Sequence, residues 1–295
     1  EKFLGPGVVK LSPPSPQAVK AAFRLPADFE GHAGVLLAAE QMAGDFPQTF
    51  RRLARAIAER TRLFAIIDDD ESAAPVRAAL GHAGVPAERV QWVYAATDTL
   101  WVRDFGPVFV RDRRGHRAAV DFDYRRRSGP EDRSRDDAAA EVIARQLKIP
   151  VVGAGITLEG GHLVSNGRGL LLATTAALNA NIARGYEPET LTRYFGAVFG
   201  CRMIALLEPI QGEPTGHVDV FACFTDPQTV VVGEYSPEHD PVNAAVLDRN
   251  AERLSKVVTA SGPLRVVRLP MPPRGKDHFG GSYTNVVFAN GVLLV

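Results

Sequence analysis

The sequence predicts a mixed α/β fold in a single domain, and three observations support this. Short apolar runs typical of buried strands alternate with segments of helical periodicity. Turn signals between neighbouring strands recur along the chain, so a strand, a hairpin and a helix return in succession. No linker-like change of composition divides the sequence. We therefore expect mixed sheets covered by helices around one core.

The first third of the chain alternates predicted strands with helices. Strands are predicted at 34–39, 61–68 and 90–94. A helix is predicted at 47–60, where Phe50, Leu53 and Ile57 share one face and arginines occupy the other. A second helix is predicted at 72–83, with Gly84 as its C-terminal cap. The acidic run 68–71 between these elements is interpreted as a solvated loop; a Ca²⁺ site is the alternative.

Hairpins dominate the remaining predicted elements. Their turns are predicted at 112–115, 165–169, 225–227 and 290–291. Strands begin or end beside them, including one predicted at 218–224 and one starting at 105. Further helices are predicted at 136–147, 188–199 and 241–255, and further strands at 151–158, 202–207 and 264–269.

Composition excludes several classes of protein. The 34 Lys and Arg residues equal the 34 Asp and Glu residues, whereas a binder of nucleic acid or anionic membrane should be basic. No apolar stretch is long enough to span a membrane. The two cysteines are too few for a disulfide framework and lack metal-ligand spacing. The compartment, cytoplasmic or secreted or periplasmic, stays open.

The first 24 residues form a predicted extended lead, interrupted by prolines, with a short helix expected around 17–24. Residues 25–295 are expected to form the single domain.

Four clusters place polar residues beside glycine at the ends of apolar strands, where side chains are accessible to a ligand. They are WVRDFGP at 101–107, LEGGH at 158–162, GEPTGHVD at 212–219 and SYTN at 282–285. On the strand predicted at 218–224, extended back by one residue, His217 and Asp219 point to the same side. A histidine beside a carboxylate is a candidate general acid or base. Asp104 and Asp219 are candidates for binding a planar cation such as a guanidinium.

Structural explanations stay open for the same residues. Asp104 can pair with Arg103, Glu159 can accept from the glycine amides that follow it, and His217 with Asp219 can form a surface pair. We interpret His162, Asp98 and Glu213 as structural.

Taken together, the four motifs resemble those of the agmatine deiminase and bacterial peptidylarginine deiminase family of guanidine-modifying enzymes. The family order W-x-R-D-x-G-P, E-G-G, G-H-x-D, S-Y-x-N is matched here from Trp101 to Asn285. The resemblance covers nearly all of residues 25–295. It implies a pentein fold, a five-bladed α/β propeller of ββαβ units around a central site.

The resemblance also implies roles for individual residues. Asp104 and Asp219 would hold the guanidinium of the substrate, and Trp101 and Asn285 would line the pocket. His217 would be the general acid and base, oriented and kept protonated by Glu159. A cysteine thiolate would attack the guanidinium carbon, and ammonia would leave.

The sequence departs from the family at the nucleophile. Nothing matches the family's catalytic cysteine, and we interpret Cys201 and Cys223 as buried structural thiols. On the predicted strand, Cys223 would lie roughly 20 Å from His217. We expect the polypeptide to continue past Val295, with the missing tail supplying the nucleophile and completing the last blade. The alternative is a catalytically dead relative.

The substrate is constrained only to a guanidine: arginine, a C-terminal peptidyl-arginine or agmatine. Arg126, within the run 125–127, is expected to clamp a substrate carboxylate, although a solvated loop is equally consistent with that run.

Three classes of function therefore remain in view. The first is a C–N hydrolase that deiminates a guanidine, with transfer of the amidino group to an amine as a variant. The second is a non-catalytic guanidine or arginine binder. The third is a metal-dependent hydrolase with Glu159, His162, His217 and Asp219 as ligands. We expect no cofactor, no nucleic-acid or membrane partner, and a small-molecule or peptide guanidine as the ligand. A homo-oligomer stays open.

Overall fold

Small sheets with helices packed on them make up the protein in the computed structural model, which describes residues 3–11, 23–124, 132–273 and 281–295. The strands are β1 Gly7–Lys10, β2 Gly34–Ala38, β3 Arg62–Ile67, β4 Val90–Tyr94, β5 Val108–Arg111, β6 Arg117–Asp123, β7 Val151–Thr157, β8 Val164–Ser165, β9 Leu170–Thr174, β10 Met203–Leu207, β11 Ala222–Asp226, β12 Thr229–Glu234, β13 Val258–Thr259, β14 Gly262–Pro263, β15 Arg265–Pro270, β16 Val287–Ala289 and β17 Val292–Leu294. The helices are α1 Ala39–Asp45, α2 Pro47–Ala58, α3 Asp70–His82, α4 Val102–Phe105, α5 Ser134–Gln146, α6 Thr175–Ala183, α7 Pro188–Phe199 and α8 Pro241–Ser255. The mixed α/β class predicted from the sequence is confirmed.

Three ββαβ units follow one another along the chain. In each unit an antiparallel hairpin is followed by a helical segment and by a strand that returns parallel to the second hairpin strand. The units are β5–β6–α5–β7, β8–β9–α6–α7–β10 and β11–β12–α8–β15. The recurrence of hairpin and helix predicted from the sequence is therefore present as a repeated topology.

Three further sheets are present among the described strands, and one of them is the short antiparallel hairpin of β13 and β14. Strands β2, β3 and β4 are parallel and lie side by side, whereas β16 and β17 form an antiparallel hairpin. The turn between β16 and β17 has positive φ at Asn290 (43°) and Gly291 (92°), the conformation that an Asn-Gly turn favours. The side-chain carboxamide of Asn290 binds the backbone of His32. Its Oδ1 accepts from the His32 N–H at 2.8 Å, and its Nδ2 donates to the His32 carbonyl at 2.9 Å. Among the strands that the structure describes, the sheets are separate and none closes on itself.

The two largest cores meet at β9, which explains its uninterrupted apolar sequence. Leu170 and Leu172 pack into one core with α8, whereas Leu171 and Ala173 pack into the other with α6 and α7. A strand buried on both faces has no polar alternation. Among the helices that the structure describes, none has the length and apolar character that crossing a bilayer requires.

The N-terminal lead contributes a strand that the sequence did not predict. Strand β1 pairs antiparallel with β10 at the edge of its sheet. Leu4 and Val9 pack against the core shared by α6 and α7. Most of the short helix expected around 17–24 lies outside the described residues.

The structure corrects two predictions in the first half of the chain. The acidic run 68–71 is not a solvated loop, because Asp69 caps α3 by accepting hydrogen bonds from the amides of Glu71 and Ser72. Phe105 does not begin a strand; it ends the single-turn helix α4, and β5 follows at Val108. Helices α1 and α6 were not predicted at all.

Candidate active site

The four motifs converge on the imidazole of His217, which is only 5% exposed. Its Nε2 lies 2.7 Å from Oε2 of Glu159, at hydrogen-bond distance. Its Nδ1 faces two other carboxylates, at 3.6 Å from Oδ1 of Asp104 and 3.9 Å from Oδ1 of Asp219. The structure thus brings together the four charged residues that the sequence selected.

The Glu-Gly-Gly turn connects the other motifs through its backbone. The amide of Gly161 donates to Oδ1 of Asp104 at 3.2 Å. The carbonyl of Gly161 accepts from the amides of Val218 and Asp219, at 3.1 and 3.3 Å. A Cβ on Gly161 would lie 2.4 Å from Nδ1 of His217, and one on Gly160 would lie 2.0 Å from the Arg103 carbonyl oxygen. Only glycine permits this close approach of backbone to the site.

His217 and Asp219 do not lie on a strand, so the predicted strand 218–224 is wrong in its first four residues. The amides of Val218 and Asp219 are taken by Gly161, and those of Phe221 and Ala222 both donate to the Val218 carbonyl. These bonds make a turn, and β11 begins only at Ala222. The two side chains approach each other across this turn rather than by strand alternation.

The fourth motif anchors the backbone beside Asp219. The hydroxyl of Ser282 donates to the Val220 carbonyl at 2.8 Å and accepts from the amides of Thr284 and Asn285. The buried hydroxyl of Thr284 donates to the Asp219 carbonyl at 3.3 Å. The residues of this motif that fix the site are therefore Ser282 and Thr284, which sequence reasoning missed.

The predicted pocket-lining residues lie outside the charged centre. The side chain of Trp101 is 56% exposed at the start of α4, and Asn285 is also exposed. Within the described ranges, neither side chain makes a hydrogen bond to the four charged groups. Arg126 and its neighbours at 125 and 127 lie outside the described residues.

The buried charges at the site shift one another's proton affinities. Burial alone would lower the pKa of His217, but the hydrogen bond that its imidazole donates to Glu159 and the charges of Asp104 and Asp219 outweigh burial and raise that pKa to about 9. Burial, reinforced by Asp219 and Glu159 and opposed by His217, raises the pKa of Asp104 to about 7. Burial likewise raises the pKa of Asp219. The raised pKa of His217 favours a protonated imidazole at neutral pH. The raised pKa values of Asp104 and Asp219 show that the positive charges near these two groups do not compensate for their burial.

Of the four charged residues at the site, Asp219 has a buried oxygen atom whose hydrogen bonding the described residues do not satisfy. Its Oδ1 is buried and has no hydrogen-bond partner among the described residues. Its Oδ2 lies 3.4 Å from Nε of Arg103, whose other guanidinium nitrogens bind the carboxylate of Asp28 at 3.1 and 3.3 Å. Sequence reasoning considered Arg103 only as a partner of Asp104 and did not select Asp28. The position of Arg103 inside the first motif was the only feature of the sequence that could have indicated its contact with the site.

Both ring nitrogens of His162 lie at hydrogen-bond distance from backbone groups. Its Nδ1 accepts from the Glu159 amide and its Nε2 faces the Thr215 carbonyl, each at 3.1 Å, which assigns the proton to Nε2. Its ring packs edge-on against His217, with centroids 4.5 Å apart. Ligand atoms of Glu159, His162 and His217 lie within 4.8 Å of one another, the spacing of a metal site. A metal would have to break the hydrogen bonds that these imidazoles already make, so the donor set fits a metal poorly.

Neither cysteine is prepared to act as a nucleophile. The Sγ of Cys201 donates to the Phe195 carbonyl at 3.2 Å, and burial raises the pKa of this thiol to about 12. Burial, with a contribution from Asp28, raises the pKa of the Cys223 thiol to about 11. Both thiols are therefore protonated at neutral pH.

Comparison with known proteins gives one family and one fold. A family model of the Porphyromonas-type peptidyl-arginine deiminases matches residues 24–295. A protein of Yersinia pseudotuberculosis serotype O:1b named "Putative agmatine deiminase" is 30% identical over 279 residues, which are 84% of this chain and 73% of that protein. A protein of the same name from Selenomonas ruminantium is 28% identical over 270 residues, 85% of this chain and 71% of that protein.

Solved structures of similar fold include two agmatine deiminases. That of Enterococcus faecalis has a TM-score of 0.79 at 21% identity and covers 96% of this chain and 85% of its own. The structure of the C. jejuni agmatine deiminase has a TM-score of 0.77 at 20% identity, and the match covers 99% of this chain and 84% of the C. jejuni chain. At these identities the likeness concerns the fold.

Proposed function

Since this chain belongs to the Porphyromonas-type peptidyl-arginine deiminase family, we propose that it hydrolyses a guanidine to a ureido product and ammonia. The observation that carries the proposal is the buried Oδ1 of Asp219, which has no hydrogen-bond partner in the described part of the chain and lies 3.9 Å from Nδ1 of a protonated His217. A buried carboxylate oxygen without a donor is costly, and a cationic substrate with several N–H groups supplies what is missing.

Asp104 and Asp219 bind the guanidinium in this proposal. Both carboxylates face the same nitrogen of His217, and their raised pKa values reflect burial and, for each of them, repulsion by neighbouring carboxylates. A guanidinium relieves that repulsion and donates to both groups through its planar fork. The neutral ureido product loses these ion pairs, which favours its release.

His217 transfers protons through Nδ1, because Nε2 is held by Glu159 at 2.7 Å. A thiolate attacks the guanidinium carbon, and the C–N bond breaks as Nδ1 protonates the leaving ammonia. The same nitrogen then takes a proton from water as the hydroxide adds to the thiouronium carbon. The C–S bond breaks, the thiolate leaves, and the added hydroxyl gives its proton to solvent, which yields the neutral ureido product. Glu159 orients the ring and stabilises its protonated form throughout.

The thiolate in this mechanism is a residue other than Cys201 and Cys223. Their raised pKa values and the bond from Cys201 to Phe195 argue against either as nucleophile. If the purified protein proves to have no further cysteine, the second candidate function, guanidine binding without turnover, is favoured, because Asp104 and Asp219 suffice for it.

The substrate proposed is arginine, a C-terminal peptidyl-arginine or agmatine, with Trp101 and Asn285 at the mouth of the pocket. Arg126 with its two arginine neighbours would clamp a substrate carboxylate. Replacing residues 125–127 with alanine should then raise KM about tenfold for arginine and leave KM for agmatine unchanged. Equal changes for both substrates would contradict the clamp.

For the fold we propose the five-bladed pentein arrangement within residues 25–295. The three ββαβ units would be three blades, and the sheet β2–β3–β4 and the hairpin β16–β17 would belong to the other two. The support for this is the repeated topology together with the likeness to the agmatine deiminase structures.

Ammonia release from arginine and agmatine tests the proposed function. We expect release that a chelator leaves unchanged and a thiol alkylator abolishes, with one ureido product for each ammonia. Loss of activity with the chelator would point to the metal-dependent class. Binding of arginine without ammonia would point to the non-catalytic class.

A further inference from the structure

Arg103 places a guanidinium of the protein itself against the pocket that we propose for a substrate guanidinium. Its Nε lies 3.4 Å from Oδ2 of Asp219, while its Nη1 and Nη2 bind the two oxygens of Asp28 at 3.3 and 3.1 Å. The side chains of Arg103 and Asp28 are each about two-fifths exposed, whereas that of Asp219 is 7% exposed. The internal cation therefore lies at the rim and touches only one edge of the buried carboxylate.

The two hydrogen bonds from Arg103 to Asp28 limit how closely the Arg103 guanidinium can approach Asp219. A planar guanidinium that makes two bonds to one carboxylate is fixed in orientation by them. Asp28 lies in a segment that is itself anchored, because Glu30 binds Arg24 and Arg111 and the amide of Ala27. The position of Arg103 is thus determined from outside the pocket.

We propose that Asp28 and Arg103 form a positioning pair that holds the internal guanidinium against Oδ2 of Asp219 and leaves Oδ1 open for the guanidinium of the substrate. This inference rests on the proposed function. Arg103 keeps Asp219 ionised in the empty pocket, and Asp28 prevents Arg103 from turning fully into the pocket and competing with the substrate.

The charges around Asp219 support both halves of this inference. The charged groups that face Asp219 are Arg103, His217, Asp28, Glu213 and Asp104. Burial and the acidic groups raise the pKa of Asp219, and Arg103 is the strongest influence that lowers it. Without Arg103, the carboxyl would hold its proton at higher pH and lose its attraction for a cation. Without the charge of Asp28, Arg103 would have Asp219 as its nearest full charge.

The test compares kcat and KM for ammonia release from agmatine in the full-length protein and in four variants, from pH 6 to pH 9. Asp28→Asn should raise KM about tenfold at every pH and change kcat less than about threefold. Arg103→Gln should raise KM most at low pH and recover as the pH rises, because Asp219 then ionises. Arg103→Lys should restore part of the loss, since it keeps the charge but not the fork. The double variant should match Arg103→Gln alone, because Asp28 acts through Arg103.

Asp248→Asn is the matched control, since it removes a carboxylate from an exposed ion pair with Arg268. An Asp28→Asn protein that behaves like this control, or effects of the two single variants that multiply in the double variant, would overturn the inference.

If the wild-type protein releases no ammonia, the proposed function fails, and the pair is then tested by thermal unfolding. A double variant whose Tm loss equals that of one single variant supports the pair; a loss equal to the sum of both overturns it.

Discussion

Two buried aspartates in this molecule have opposite surroundings. Asp136, at the start of α5 and fully buried, accepts from the amides of Asp98 and Thr99 at 2.7 and 3.2 Å and from the Thr99 hydroxyl at 2.7 Å. Asp219, also buried, has an oxygen with no hydrogen-bond partner among the described residues and lies among other carboxylates. A buried charge that has all its donors stabilises the fold, whereas one that lacks them is suited to a ligand.

The largest expected effect follows from the second case. Asp219→Asn should lower kcat/KM for a guanidine by about 10³-fold, roughly 4 kcal/mol, because the charge-assisted hydrogen bonding of the substrate to Oδ1 is lost. The free energy of unfolding at pH 8 should be unchanged or higher, because the variant removes a carboxylate whose ionisation the pocket opposes. Ammonia assays and urea unfolding measure the two quantities. A fall of several kcal/mol in the free energy of unfolding of Asp219→Asn would contradict the contrast between a ligand-binding Asp219 and a structural Asp136.

Asp136→Ala should show the reverse pattern. It leaves the donors of Asp98 and Thr99 without their acceptor, so the free energy of unfolding should fall by about 3–4 kcal/mol. KM and kcat of the folded fraction should stay within about threefold of wild type, because Asp136 contacts none of the four charged groups. The same unfolding and kinetic measurements apply. A selective change in KM with normal stability would remove the basis of the comparison.

The pH dependence of stability is the smallest of the three effects. The pKa of His217 is about 9 in the folded protein and near its usual 6.5 when unfolded. The folded state therefore binds more protons between these values, and the free energy of unfolding should fall by about 2–3 kcal/mol as the pH rises from 6.5 to 9. Asp104, with a raised pKa of about 7, contributes a fall in the same direction between pH 4 and 7.

His217→Asn should flatten this profile above pH 6.5, and urea unfolding at several pH values measures it. A wild-type profile that is flat between pH 7 and pH 9 would mean that His217 is already neutral in the folded protein.

Local signals allowed much of the fold to be predicted. Pro188 and Pro241 begin α7 and α8 at the positions expected, and the Asn290-Gly291 turn forms the hairpin that it indicates. Helix α6 was missed because it follows β9 without a break and because its alanine-rich sequence has little amphipathic periodicity. No turn in the sequence marks the point where β9 ends and α6 begins.

The charged residues that lie together at the site were indicated by their motifs and by the resemblance to a known family, whereas a contact with a residue outside the four motifs was missed. The grouping of Asp104, Glu159, His217 and Asp219 was correct, although the turn after His217 was predicted as a strand. The contact of Arg103 with Asp28 joins residues 75 positions apart. No periodicity or spacing indicates such a pair, because it depends on how the segment around Asp28 packs against α4 in the folded chain.

The pKa of His217, measured by NMR titration of its imidazole in the ligand-free protein, tests the central claim most directly. That claim is that the four motifs build a negatively charged pocket prepared for a cation. A pKa near 9, lowered in Asp219→Asn, is the predicted result. A pKa at or below 6.5 would show that burial outweighs the carboxylates, and a pocket with that balance would not attract a guanidinium.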